Sequence, residues 1–109
     1  MQAEHIFKYA DVSTRHVTRQ DDLTLGRIAA EQARDEGDFP VRVAAYPGGY
    51  FIPLGDGREW LDETREDFKG AGLSAAFVTL LEYCVGKKVS VLRLDADGIT
   101  VEALEKFDW

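Results

Sequence analysis

The sequence predicts an α+β fold, in which an antiparallel or mixed sheet of three to five strands carries two or three helices packed on one face. Apolar residues recur at three- and four-residue spacing in some segments and alternate with polar residues in others, which indicates helices and strands in one chain. The segments follow the order strand, helix, two strands, two helices and strand. A chain of 109 residues with 45% hydrophobic residues is predicted to form a single domain over residues 1–109.

The first two elements are a strand and a helix. Alternating apolar residues predict a strand over residues 5–9 that extends toward residue 12. Thr18 is suited to cap a helix that starts just after it, because Asp21 and Asp22 complement the positive end of the helix dipole. This helix is predicted to end at Gly37.

A hairpin is predicted for residues 41–54. Residues 41–46 form one strand with an apolar face, residues 47–49 (Pro-Gly-Gly) form the turn, and residues 50–54 form the partner strand. Pro53 sits near the end of its strand, where a missing amide hydrogen does least harm, for example on a sheet edge.

Residues 58–69 have two open interpretations. Trp60, Leu61, Thr64 and Phe68 share one side of a helix with acidic residues on the other, but the glycines on both sides suit a mobile loop equally well.

Residues 72–94 are predicted to supply the centre of the core as a helix, a turn and a strand. Ser74 is suited to cap the helix, and Gly86 to end it. Six residues form its buried face: Phe77, Val78, Leu80, Leu81, Cys84 and Val85. Residues 89–94 are apolar on both faces, which predicts a strand at the centre of the sheet.

The C-terminal residues are predicted to form a turn and a short strand. The turn is Asp95-Ala96-Asp97-Gly98, and the strand covers residues 99–101. Phe107 and Trp109 are expected to pack back on the sheet, because large aromatic side chains are seldom left loose in water.

The composition limits the function classes. The net charge is −7, from 20 acidic and 13 basic residues, so a nonspecific phosphate-binding surface is not expected. The single cysteine excludes an internal disulfide framework. The sequence has neither a run of about 18 apolar residues nor the pattern of a signal peptide, so we predict a cytoplasmic protein without a membrane partner.

Three separated motifs suggest a family. They are Ser13-Thr14-x-His16-Val17-Thr18, Tyr46-Pro47-x-Gly49-Tyr50-Phe51, and Asp95-Ala96-Asp97-Gly98 followed by Leu104-x-x-Phe107-Asp108-Trp109. With Gly72-Leu73-Ser74 they resemble a family of small bacterial proteins of unknown function, typically encoded on plasmids and other mobile elements. The resemblance runs nearly end to end, apart from residues 58–69. It implies a mobile-element protein and transfers no catalytic residue.

An enzymatic site is the alternative that His16 suggests. Ser13 and Asp11 lie close by in sequence, but an extended segment points Ser13 and His16 to opposite faces, and no Gly-x-Ser-x-Gly elbow is present. A small hydrolase or transferase would instead use His16 with Asp95 and Asp97.

No metal ion or other cofactor is predicted. The two histidines and the cysteine do not have zinc-ligand spacing. Asp95-x-Asp97-Gly98 resembles part of a calcium loop, but the closing glutamate is out of register, so a turn with aspartates bonding to backbone amides is preferred.

The acidic residues give the predicted partner-binding site. Six of them cluster near residues 58–69: Asp56, Glu59, Asp62, Glu63, Glu66 and Asp67. This cluster is either a solvated helix face or an electrostatic recognition surface. A second concentration could extend it if the fold brings both together: Asp95, Asp97, Glu102, Glu105 and Asp108.

The functional prediction is therefore a nonenzymatic acidic binding protein from a mobile element or phage. It is expected to inhibit a host nucleic-acid-directed defence complex of the anti-CRISPR or anti-restriction type, by nucleic-acid mimicry. Its partner would be a basic protein surface and not nucleic acid itself. The alternatives are the small hydrolase or transferase and a homodimeric regulatory or accessory protein, and the sequence leaves the oligomeric state open.

Overall fold

A computed structural model describes residues 8–109 of the chain. It contains a four-stranded mixed sheet and three α-helices, so the predicted α+β class is confirmed. The strands are β1 (Tyr9–Ser13), β2 (Ala44–Tyr46), β3 (Gly49–Pro53) and β4 (Val91–Asp95). The helices are α1 (Arg19–Ala33), α2 (Arg58–Gly70) and α3 (Ala75–Gly86), and a single 3-10 turn covers Thr14–His16.

Strand β4 lies inside the sheet, as its apolar sequence predicts. The strand order is β1-β4-β3-β2, with β4 parallel to β1 and antiparallel to β3. Leu92 and Leu94 of β4 and Ile52 of β3 are fully buried on one face, whereas Tyr9 and Phe51 are exposed on the other. The sheet therefore has one face against the core and one open face.

Helix α3 forms as predicted. Its cap is Ser74, whose Oγ accepts a hydrogen bond from the N–H of Phe77 at 3.2 Å. All six residues predicted to face the core are buried. Burial raises the pKa of the Cys84 thiol to about 11, so at neutral pH this cysteine is a small apolar core group.

Residues 58–69 belong to a helix, which decides between the two open interpretations. Helix α2 buries Leu61, Thr64 and Phe68 on the predicted side. The Phe68 ring is the centre of an aromatic cluster, with its centroid 5.9 Å from that of Trp60 and 5.5 Å from that of Phe77. Aromatic packing of this kind fixes α2 against the core.

One predicted helix end is wrong and the other is confirmed. Helix α1 ends at Ala33 and not at Gly37, and the left-handed residue after it is Asp35 (φ 58°). Helix α3 ends at Gly86 as predicted, but the left-handed residue is Lys88 (φ 61°) and not the glycine. The N–H of Val89 donates to the Cys84 carbonyl at 3.1 Å and closes the helix. Burial of Val89 therefore helps to fix this helix end, and Lys88 adopts the left-handed conformation in place of a glycine.

The first predicted strand of the hairpin is shorter than expected. Hydrogen bonding in a strand begins only at Ala44, although Val41 and Val43 are buried. The side chain of Gln32 takes the place of a neighbouring strand, because its amide donates to the Val41 carbonyl at 2.7 Å and accepts from the Val43 N–H at 2.8 Å. Strand β2 is too short to reach Pro53, so the missing amide hydrogen of this proline leaves no gap in the sheet.

The two ends of the chain also differ from the prediction. Strand β1 covers Tyr9–Ser13 and includes the predicted extension toward residue 12, whereas residue 8 is outside the strand and residues 5–7 lie outside the described residues. In place of a strand over residues 99–101 there is a single parallel bridge between Val12 and Ile99.

Asp21 joins the N-termini of two helices. Its carboxylate is fully buried and accepts hydrogen bonds from the Thr18 N–H at 3.0 Å, the Ser74 N–H at 2.8 Å and the Ser74 hydroxyl at 2.6 Å. A negative charge between the positive ends of two helix dipoles is favourable, and it satisfies amide groups that lack partners inside the helices. The sequence predicts only a role for Asp21 in α1, whereas the structure gives it a second role in α3.

Replacing Asp21 by alanine is expected to lower the free energy of unfolding by roughly 3 kcal/mol, because several buried donors lose their acceptor. Urea denaturation of Asp21→Ala, Ser74→Ala and the double variant measures this. The double variant should lose less than the two single variants together. Additive losses, or a loss below about 1 kcal/mol for Asp21→Ala, would contradict the shared cap.

Candidate functional site

The acidic cluster of the sequence lies on and just before α2. All six of its members are exposed: Asp56, Glu59, Asp62, Glu63, Glu66 and Asp67. Two of the six are neutralised by neighbours on the same helix. Asp62 lies 3.4 Å from Arg65 and 4.0 Å from Arg58, and Glu66 lies 3.7 Å from Lys69. The other four have no ion pair among residues 8–109.

The cations of α2 lie on one flank of the helix. Arg65 donates to Glu82 of α3 at 2.7 Å, and this bond raises the pKa of the Arg65 guanidinium. At 3.6 residues per turn, Glu59 and Glu63 lie on the side of α2 opposite the buried Leu61 and Phe68. The outward side of α2 is therefore acidic, and its basic flank is turned toward α3.

A groove extends this acidic side toward α1. It lies between α1, residues 37–40 and the end of α2, and has a volume of about 470 Å³. Its walls include Asp38, Glu66, Asp67 and Glu31, and Glu31 is paired with Arg27 at 3.3 Å. We call Glu59, Glu63, Glu66, Asp67 and Asp38 the α2 acidic surface.

The second acidic concentration has different neighbours. Glu102, Glu105 and Asp108 are exposed in a C-terminal segment that is bound to residues 15–17, and Asp108 pairs with Arg15 at 3.4 Å. No hydrogen bond among residues 8–109 connects this segment to α2.

The His16 side chain holds the C-terminal segment through two hydrogen bonds to its backbone. Its ring is 1% exposed; Nε2 accepts from the Val101 N–H at 2.7 Å, and Nδ1 lies 2.7 Å from the Glu105 carbonyl, to which it donates. Both ring nitrogens are thus used by the backbone. Neither nitrogen is free to take a proton from a substrate.

Asp95, the last residue of β4, accepts hydrogen bonds from several polar groups. It is 6% exposed, and its Oδ2 accepts from the Tyr46 hydroxyl and from Arg93 Nη2 at 3.2 Å. Its Oδ1 accepts from the Asp97 N–H at 2.7 Å, which is the predicted Asx-type turn. The bond from Tyr46, followed by that from Asp97, lowers the pKa of the Asp95 carboxyl.

The sequence motifs meet around this residue. Ser13 pairs with Asp95 in the β1–β4 register and its Oγ caps the 3-10 turn by accepting from the Arg15 N–H at 3.1 Å. Gly98 packs on β1 so closely that a Cβ there would lie 2.5 Å from the carbonyl carbon of Val12. The Trp109 indole N–H donates to the Val17 carbonyl at 2.9 Å.

An aromatic cleft of about 330 Å³ opens where these motifs meet. It lies between α1, the β2–β3 turn, Thr14 and the C-terminal residue. The residues that line it are Thr14, Asp22, Gly26, Ala45, Tyr46, Pro47, Gly48, Gly49, Tyr50, Ala96 and Trp109. Trp109 keeps 53% of its surface exposed at the rim, which corrects the expectation that it packs on the sheet.

The sequence did not predict the polar contacts that four residues make in this region. These residues are Asp11, Asp22, Tyr46 and Arg93. The Arg93 guanidinium donates to the Tyr46 oxygen at 2.9 Å and lies 3.8 Å from Asp11. Asp11, Asp22 and Tyr46 stand out in the sequence for other reasons, but Tyr46 and its partners are distant in sequence, so spacing does not predict these contacts. No group of three or more His, Cys, Asp or Glu side chains in residues 8–109 is arranged to hold a metal ion.

The fold and these sites define a small α+β protein with an acidic helix and a motif-built cleft. Residues 9–109 match the family model described as "Family of unknown function (DUF5983) C-terminal domain", and the chain belongs to this family. No curated protein and no solved structure matches it. Within the described part of the chain, no helix has the length and apolar character that a membrane crossing requires.

Tyr50 provides a pH test of the cleft. Burial, and then the hydrogen bond to Asp22, raise the pKa of the Tyr50 hydroxyl from 10.0 to about 12. The unfolded chain therefore ionises first, so the stabilisation by Tyr50 is complete below pH 10 and is lost as the pH rises toward 12.

Tyr50→Phe is expected to remove one delayed ionisation step from the tyrosinate absorbance, and the raised pKa of the Tyr46 hydroxyl should leave a second delayed step in place. In Tyr50→Phe, the loss of stability between these pH values should also be smaller than in the wild type. A titration that is unchanged by Tyr50→Phe would contradict the buried position of this hydroxyl.

Proposed function

We propose that the chain is a nonenzymatic acidic binding protein of a phage, plasmid or other mobile element. It acts in the host cytoplasm by occupying a basic surface of a nucleic-acid-directed defence complex, of the CRISPR or restriction type, in place of nucleic acid. The observation that carries this proposal is the outward acidic side of α2, where Glu59 and Glu63 have no ion pair among residues 8–109. The motif resemblance supports the mobile-element origin.

The arrangement of charge on α2 suits recognition of a cationic surface. Separated carboxylates on a rigid helix present a fixed pattern of negative charge, and complementary potential accelerates association and selects the partner. Neutralisation of all six residues would make α2 an ordinary solvated face. Only Asp62 and Glu66 are paired, so the outward side keeps its negative potential.

The enzymatic alternative receives less support from the geometry. A hydrolase or transferase needs an accessible imidazole, whereas both nitrogens of His16 are bonded to backbone groups. The homodimeric alternative stays a prediction.

Phage plating on bacterial strains that each carry one defined CRISPR or restriction system tests the proposal. Wild-type protein is expected to restore plating in a sensitive strain. The Glu59→Lys/Glu63→Lys variant should lose this effect, because it places positive charge against a positive partner.

The matched control is Glu102→Lys/Glu105→Lys, which changes the net charge equally in the C-terminal segment. It should retain the effect, and circular dichroism should show that both variants are folded. Equal loss in both variants would show that net charge alone matters. Restoration of plating by Glu59→Lys/Glu63→Lys would contradict the proposed surface.

A further inference from the structure

We propose that the aromatic cleft binds the guanidinium group of an arginine side chain presented by a protein partner. The inference goes beyond the proposed function, because it uses no residue of the α2 acidic surface and does not require a defence complex as the partner.

The aromatic side chains that line the cleft have their polar atoms bonded within the protein. The Tyr46 hydroxyl donates to Asp95, the Tyr50 hydroxyl to Asp22 at 3.0 Å, and the Trp109 indole N–H to the Val17 carbonyl at 2.9 Å. All three polar atoms are therefore already used. Trp109 is the ring most open to a ligand, because Tyr50 is buried and the Tyr46 ring already contacts Phe51 and Arg93. Electron-rich rings held in place by such bonds attract cations.

Among residues 8–109, Asp22 is the only charged side chain that lines the cleft, and no lysine, arginine or histidine of this part of the chain lines it. Asp22 Oδ1 accepts from the Tyr50 hydroxyl at 3.0 Å, and Oδ2 has no hydrogen bond among residues 8–109. A cationic ligand can use this free oxygen. The negative charge would repel an anion. An apolar ligand would remove water from this oxygen without replacing the lost hydrogen bonds.

Arginine fits these surroundings better than lysine. A planar guanidinium can stack on a ring and donate to a carboxylate at the same time, whereas an ammonium is a compact and strongly hydrated charge. The same protein already contains such a pair, because the Arg93 guanidinium carbon lies 5.4 Å from the Tyr46 ring centroid on the sheet. The volume of about 330 Å³ is at the lower end for ligand pockets and suits one side chain.

The Trp109 ring at the rim of the cleft is preorganised for such a contact. Trp109 is 53% exposed although its indole N–H is anchored, so its ring stays at the cleft at a cost in exposed apolar surface. Ring positions that are fixed in advance reduce the entropy lost on binding.

An NMR titration with N-acetyl-arginine methylamide tests the inference, with N-acetyl-citrulline methylamide as the neutral ligand of nearly equal shape. The arginine compound is expected to shift the backbone amide resonances of Gly26, Gly48 and Gly49, which line the cleft. The citrulline compound should bind at least about tenfold more weakly.

Two variants locate the binding. Asp22→Asn keeps an acceptor for the Tyr50 hydroxyl but removes the charge, and it should weaken arginine binding about tenfold. Trp109→Ala, at a half-exposed position, should weaken it as well. The control Asp67→Asn removes an equal charge from α2 and should leave binding unchanged.

Three results would overturn the inference: no shift of the cleft amides by the arginine compound, equal binding of the citrulline compound, or an equal effect of Asp67→Asn. A protein that fails this test while still restoring phage plating would leave the function of the α2 acidic surface intact.

Discussion

The carboxylate of Asp95 is the constraint on which the region built from the sequence motifs depends. It is nearly buried at the end of the interior strand β4 and receives the Tyr46 hydroxyl, the Arg93 guanidinium and the Asp97 N–H. These bonds connect β4 to the hairpin and to the turn that follows. Burial, and then the contact with Asp95, raise the pKa of the Tyr46 hydroxyl, so it stays a donor to this carboxylate. A buried charge with several donors holds one arrangement and disfavours others.

The protein has two candidate surfaces, and they differ in kind. The aromatic cleft is assembled from separated parts of the chain, so its shape depends on the whole fold. The α2 acidic surface belongs mainly to one helix, whose position depends on the packing of Phe68 against Phe77. The C-terminal acids belong to a segment that is bonded to residues 15–17 and has no hydrogen bond to α2 among residues 8–109. The negative charge is thus distributed over more than one segment, and on α2 four of the six clustered acids have no ion pair among residues 8–109.

Local interactions made much of the fold predictable from sequence. Ser74 and Thr18 cap helices through residues three positions away, and the apolar spacing of α3 reports its buried face directly. Contacts between distant residues were not predictable. Gln32 replaces a strand partner for Val41 and Val43, and Arg93 reaches Tyr46 across the sheet. The ion pairs of Asp62 with Arg65 and of Glu66 with Lys69 follow from their spacing of three residues on one helix. The bond from Arg65 to Glu82 could not be predicted in this way, because it depends on how α2 packs on α3.

Affinity capture from the native host, at low and at high salt, tests most directly whether the α2 acidic surface binds a basic partner. The account predicts that wild-type protein captures a basic nucleic-acid-binding complex, that salt releases it, and that Glu59→Lys/Glu63→Lys fails to capture it while Glu102→Lys/Glu105→Lys succeeds. Capture of the same partner by the α2 variant, or binding that is insensitive to salt, would contradict it.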